Sequence, residues 1–286
     1  MKKIILSFIL IVNWISLQAQ TTNTLTAPFM SYTKHYNDEQ TTTNKRSEYN
    51  LGLYSKIKNN KHSFDLLLDY GNIKYYDNSN IKNLDLAVLY RYKLDDTLTI
   101  NSSINYLFSS KSDYDQIFAV LAGLEKNTDI FQLGANISYS KYNSASLAKF
   151  TNQFTPYLGF YFGDYNSLMG TFLAKVTYDF ITLHSGDSSL KEEYSAHSLS
   201  LKNSNGNFDT TIELWFGESI YALRNYGLTN HFLKDLYKDA LIVSTKYKIS
   251  DSVSVKLSYL KRSYIASGET ENSTLKSYLI STYFRF

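Results

Sequence analysis

The feature that most restricts this chain is a hydrophobicity that alternates residue by residue, in segment after segment. It is clearest where Leu98, Ile100, Ser102, Ile104, Tyr106 and Phe108 share one face and Thr97, Thr99, Asn101, Ser103 and Asn105 the other. Successive side chains of a strand point to opposite sides, so such a segment has one greasy and one wet face. The same period sets Phe64, Leu66, Leu68 and Tyr70 against Asp65, Leu67, Asp69 and Gly71, and Leu84, Leu86, Val88, Tyr90 and Tyr92 against Asp85, Ala87, Leu89, Arg91 and Lys93. It returns at 131–139, 154–162, 172–180 and 212–216. No long stretch has the helical period, so the expected class is all-β.

Connections alternate between short and long. Tight-turn residues stand at Lys58-Asn59-Asn60-Lys61, Leu94-Asp95-Asp96, Asn127-Thr128-Asp129, Asp164-Tyr165-Asn166, Ser204-Asn205-Gly206 and Ser250-Asp251. Longer polar stretches separate them, near 37–44, 75–80, 109–115, 143–152, 181–192, 219–235 and 264–273. Six short turns between seven longer loops predict about 14 strands, with about 12 as the alternative, and an even count brings both ends of the sheet to one side. The polar segments at 27–36 and 193–203 are the weakest of the set.

The start has a different character. Met1-Lys2-Lys3, an apolar run from Ile4 to Trp14 and then Ile15-Ser16-Leu17-Gln18-Ala19 read as a secretory signal peptide over residues 1–19. Its apolar run, broken by Ser7 and Asn13, is shorter than the roughly 20 residues of a spanning helix. Without cysteine there is no lipoprotein anchor, disulfide or thiolate metal site. Cleavage removes Lys2 and Lys3, leaving 27 basic against 26 acidic residues, a balance that argues against nucleic-acid binding. The chain has 26 Tyr and 17 Phe but only 2 Pro, which suits pleated, half-buried surfaces better than a soluble α/β enzyme. A mean hydropathy of −0.29 is compatible with a membrane wall that shows lipid only every second residue.

The last segment places Tyr278, Ile280, Thr282, Phe284 and Phe286 on one face. It resembles the terminal signature of bacterial outer-membrane barrels, in which a final aromatic residue and alternating apolar residues mark the chain for the barrel assembly machinery. Tyr278, Ile280, Phe284 and Phe286 carry that signal here. The resemblance implies a transmembrane antiparallel up-and-down β-barrel over residues 20–286, exported through the periplasm into the outer membrane, in contact with its lipid and lipopolysaccharide. A soluble β-sandwich also alternates, but it has fewer strands and more Pro and Gly in its turns.

About 14 strands spaced about 4.8 Å apart and tilted about 40° give a backbone diameter on the order of 28 Å, narrowed by side chains to roughly 15 Å. The pattern is similar to a monomeric porin-type channel, which implies passive diffusion of small hydrophilic solutes and no cofactor. The alternatives are a non-conducting structural, adhesin or receptor barrel, or the barrel part of a surface-export system, although export barrels usually follow a periplasmic helical-repeat domain. Fatty-acid transporters of similar strand number carry an N-terminal hatch. Here strand-like sequence begins within about ten residues of the proposed cleavage site, which argues against a dedicated hydrophobic-substrate transporter.

With the greasy faces turned to lipid, the inward set includes an acidic sector, Glu48, Asp65, Asp69 and Asp85, and a basic sector, Lys246, Lys248, Lys256, Arg262 and Arg285. Opposite charges on separate wall sectors set up a field across a lumen with low-dielectric walls. The plainer reading is solvated or locally paired charge. Segment 219–235 contains Ile220, Tyr221, Leu223, Tyr226, Leu228, Phe232 and Leu233, more apolar content than a solvated loop favours. It either folds inward and constricts the pore or packs as an external flap. Tyr32, Tyr36, Tyr75, Tyr76, Tyr90, Tyr92, Tyr139, Tyr142, Tyr259 and Tyr264 fall near segment ends and read as interfacial girdles.

Enzymatic barrels are disfavoured. Outer-membrane phospholipases resemble a His-x-Ser-Asn-Gly pattern, whereas His197-Ser198-Leu199-Ser200 and His184-Ser185-Gly186 put no serine two residues after histidine. His35, His62 and His231 have no ligand spacing, so no metal site is expected. Asp-x-His pairs and Gly-rich phosphate loops are also missing.

Overall fold

Each alternating segment forms a strand hydrogen-bonded to its sequence neighbours, and the first strand pairs with the last. The structure, a computed structural model, describes residues 23–37, 46–75, 79–111, 116–142, 148–164, 169–185, 190–220, 222–224, 228–230, 235–265, 270 and 272–285. Residues 1–19, Tyr76, His231 and Phe286 lie outside the described residues.

The strands are β1 (Asn23–Asn37), β2 (Arg46–Lys58), β3 (His62–Tyr75), β4 (Asn80–Lys93), β5 (Leu98–Ser109), β6 (Ile117–Asn127), β7 (Phe131–Lys141), β8 (Ala148–Asp164), β9 (Gly170–Ser185), β10 (Glu193–Asn205) and β11 (Phe208–Gly217). Then come two short ones, β12 (Leu223–Arg224) and β13 (Thr229–Asn230), followed by β14 (Leu236–Lys248), β15 (Val253–Ile265) and β16 (Asn272–Arg285). Among the described residues, the 14 long strands close into one antiparallel barrel, the larger of the two expected counts, and β12 and β13 pair separately. Both weak segments are strands, β1 and β10, held by neighbours on either side. Tertiary pairing decides where local pattern is faint.

The closing seam runs from Leu25↔Arg285 to Asn37↔Ser273, with Thr33 Oγ1 donating to Ser277 Oγ at 2.8 Å. The two prolines fall where ladders are interrupted. Pro28 pairs with Leu53 of β2, while the β16 ladder passes from Thr26 to Phe29. Pro156 pairs with Ala135 of β7, and the β9 ladder passes from Phe154 to Tyr157. A residue without an N–H is tolerated only at such gaps.

Short turns gather at one end of the barrel and are closed by side-chain acceptors. Asn59 Oδ1 accepts from His62 N at 2.8 Å, and Asp95 Oδ1 accepts from Thr97 N at 2.7 Å and Leu98 N at 2.8 Å. Those backbone donors hold the Asp95 carboxyl below its ordinary range. Gly206, with φ +51, lets β10 reach β11 in two residues.

The outward surface is apolar, with Leu51, Ile104, Ile137, Phe160, Phe180, Leu257 and Tyr278 all exposed. Exposed aliphatic and aromatic rows around a whole barrel are the physical signature of a wall in hydrocarbon. That surface carries two apolar concavities, one crossing β14–β16, β1 and β2, the other β5–β9.

Facing alone does not decide the tyrosines. Tyr142 and Tyr264 are buried in interior clusters, and Tyr75 packs on inward Ile73 and Ile81, so these three are not girdle residues. Tyr32, Tyr139 and Tyr259 do line the outward concavities. Ile137 sits mid-strand and outward, so Ile137→Arg is expected to lower stability in lipid vesicles by about 2–4 kcal/mol, measured by denaturant titration. An unchanged midpoint would remove this face from the hydrocarbon.

Candidate functional site

Inward side chains and one connecting segment leave little of the expected 15 Å bore. Ala87, Leu89, Asn101 and Asn105, on the inward faces of β4 and β5, are at most 1% exposed, so they pack against neighbouring groups instead of lining open space. The segment between β11 and β14 is the cause at the loop end. Ile220 and Ala222 are buried among Leu107, Ile117, Ile181, Leu183 and Tyr194 from β5, β6, β9 and β10. Of the two readings of residues 219–235, the described residues Ile220 and Ala222–Arg224 follow the inward one, while Tyr221, Tyr226, Phe232 and Leu233 lie outside the described residues.

The segment is fixed at three places. At its base, Ser219 and Tyr237 exchange backbone hydrogen bonds, both 2.9 Å. In the interior, Leu223 N donates to Gln153 Oε1 at 2.9 Å and Leu223 O accepts from Gln153 Nε2 at 3.1 Å. Gln153 Nε2 also lies 2.9 Å from Asp179 Oδ1, which accepts from Thr155 Oγ1 at 2.8 Å and whose other oxygen pairs with Arg224. On the far side, Asp235 forms a buried ion pair with Arg46 of β2, which is separated from β14 by β15, β16 and β1. The segment is thus tied to β8 and β9 on one side and β2 on the other.

Trp215 of β11 is in contact with two cations. The Arg224 guanidinium is 4.2 Å from its ring and that of Arg262 4.5 Å, while Arg262 also lies 4.6 Å from the Tyr237 ring. Such contacts strengthen where water is excluded. On either side are two interior cavities. One, about 230 Å³, is bordered by Lys175, Lys202 and Arg224 together with Asp179 and Glu213. The other, about 240 Å³, is bordered by Glu48, Asp69 and Asp85 together with Arg262.

Three of the four acidic-sector residues therefore share one cavity. Asp65 does not join them: it is fully buried against Arg91 and Lys56 and accepts from Tyr54 Oη at 2.5 Å. The basic sector is more dispersed. Arg262 lies beside the acidic cavity, Lys246 pairs with Asp209 at 3.2 Å, Lys248 with Asp251 at 2.6 Å, Lys256 interacts with the charges of Lys246 and Lys202, and Arg285 is exposed at the end of β16. Tyr278, Ile280 and Phe284 are exposed on the outward face of β16.

Sequence reasoning missed Arg46, Gln153, Asp179, Trp215 and Arg224. Trp215 could have been found, because Leu214 and Phe216 face out and strand parity turns Trp215 inward. His184 and His197 pack against aromatic rings. The His197 ring lies 5.6 Å from Tyr178 and 5.5 Å from Phe216 while Ser198 is buried on the opposite face, and His184 stacks on Phe150 at 4.2 Å. Among the described residues, no three His, Cys, Asp or Glu converge as metal ligands.

No family model and no curated protein matches the chain. Solved structures do. The chain is similar to the deltaS2 mutant of the TodX monoaromatic hydrocarbon channel, with a TM-score of 0.57 and 10% identity over 93% of this chain and 90% of that one. It is similar to the Pseudomonas putida toluene transporter TodX, with a TM-score of 0.53 and 8% identity over 93% and 90%. The CymD monoaromatic hydrocarbon channel gives 0.53 and 8% over 93% and 88%. These likenesses concern the fold: a closed outer-membrane-type barrel of the same extent.

Gln153→Leu keeps the volume but removes both bonds to Leu223. Since each neutral hydrogen bond contributes about 1 kcal/mol, exchange protection of the Leu223 amide is expected to fall about thirtyfold. Hydrogen exchange followed by mass spectrometry checks this, and unchanged protection would show that Gln153 does not hold the segment.

Proposed function

We propose that this protein is a monomeric outer-membrane channel for passive passage of small hydrophilic solutes, closed at rest by segment 219–235. In this reading residues 1–19 export the chain, Tyr278, Ile280, Phe284 and Phe286 are read by the barrel assembly machinery, and the long loops face outward among lipopolysaccharide. It performs no chemistry and uses no cofactor.

The observation that carries the reading is the segment itself. Its described residues Ala222–Arg224 enter the lumen, and Leu223, Arg224 and Asp235 are held by a two-point amide contact and two ion pairs, all of which can break without disturbing the wall ladders. A gate needs an element less stable than its frame. The similar channels are named for monoaromatic hydrocarbons, but here both interior cavities carry carboxylates, hydroxyls and cationic side chains among their leucines and aromatic rings, which supports polar or charged solutes.

Planar-bilayer recording of the refolded barrel tests the reading. Deleting residues 222–231, which removes β12 and β13, should raise single-channel conductance by about twofold or more, because the constriction is removed while the 14 barrel strands remain. A deletion variant that folds, shown by heat-modifiable gel mobility, yet gives no current would favour the receptor or adhesin alternative. Separately, neutralising Lys246, Lys248, Lys256 and Arg262 together should shift the reversal potential towards cation preference. No shift would mean that these charges do not govern permeation.

A further inference from the structure

We propose that the cavity bordered by β2, β3 and β4 is a binding site for a small organic cation, an ammonium or guanidinium ion, held by Glu48, Asp69, Asp85 and Asn83. This names a solute class for the channel proposed above and rests on that reading only for access to the lumen.

The ladder places Asp69 directly opposite Asp85, and both border the same cavity as Glu48. Like charges directly across a ladder repel. Among the described residues, no Lys or Arg forms an ion pair with any of the three. Arg262 borders the cavity but is stacked on Trp215 and Tyr237, and Arg46, the cation that acts on Glu48, is paired with Asp235.

Hydrogen bonding leaves the same deficit. Asp85 Oδ1 accepts from Asn105 Nδ2 at 2.8 Å and Glu48 Oε1 from Asn50 Nδ2 at 3.0 Å. Asp69 Oδ1 is buried and accepts from nothing. Independently of the carboxylates, Asn83 borders the cavity at 6% exposure, and its Oδ1 also has no donor. Buried acceptors without donors are costly, and a ligand that brings its own N–H groups removes the cost.

The occupant is not a bare metal ion, because these oxygens do not converge as metal ligands. They are spread around about 240 Å³, room for a small molecule with several N–H donors rather than one central charge.

Isothermal titration calorimetry of the refolded barrel in detergent, with methylguanidinium chloride as the probe, tests the site. Saturable binding is expected, weakened about tenfold or more in the near-isosteric Asp69→Asn/Asp85→Asn variant. The single variant Asp69→Asn serves if the double one does not fold. Asp96→Asn, which removes one exposed turn charge, should leave affinity unchanged. Absence of saturable heat in the wild type, as for carboxylates that share protons among themselves, would overturn the proposal, as would equal affinity in wild type and Asp69→Asn/Asp85→Asn. The assay needs no current, so a barrel that binds the probe but never conducts would refute the channel while leaving the site. An open channel that binds nothing would do the reverse.

Discussion

In hydrocarbon a backbone N–H or C=O can be satisfied only by another part of the protein, and each one left unpaired costs several kcal/mol. Pairing β1 with β16 removes the last free edge, and most of the architecture follows from that closure. Both prolines sit where a ladder skips a pair, since a missing donor is affordable only there. Side chains then alternate between two solvents, and the apolar rows outside and polar rows inside are one pattern seen from its two faces.

Inside the wall the constraint is reversed. The interior can carry charge, but its low polarizability makes each charge seek a partner. Between β11 and β14 two residues form such pairs, Arg224 with Asp179 of β9 and Asp235 with Arg46 of β2. The interior is also divided by sign. A cavity bordered by three bases and two acids lies to one side of the Arg224–Trp215–Arg262 stack, and one bordered by three acids and one base to the other. A solute meeting this interior encounters a gradient of charge as well as a constriction.

The outer half of this structure was legible in the sequence. Period two gave the facing of Leu98 to Phe108 and of Phe154 to Phe162, and Asn59, Asp95 and Gly206 marked turns that depend on their side chains or backbone freedom. What parity cannot supply is what lies across the lumen. Arg46 and Asp235 are 189 residues apart and belong to no local pattern, and Gln153 is a neutral residue in an ordinary strand until Leu223 arrives. Tyr142 and Tyr264 show the same limit, since position near a strand end suggested a headgroup belt while interior packing claimed both rings. The acidic sector was readable as four inward carboxylates, but only the fold put Asp69 and Asp85 side by side and sent Asp65 to Arg91.

The chain has two tryptophans, Trp14 and Trp215, and the first belongs to the proposed export signal. In a processed chain every indole photon would come from one ring, in contact with two guanidinium groups inside the barrel. Emission wavelength, quenching and anisotropy of the unmodified protein would then be local readings of the lumen. The molecule carries its own optical probe at the position where opening, binding and charge displacement would all be felt.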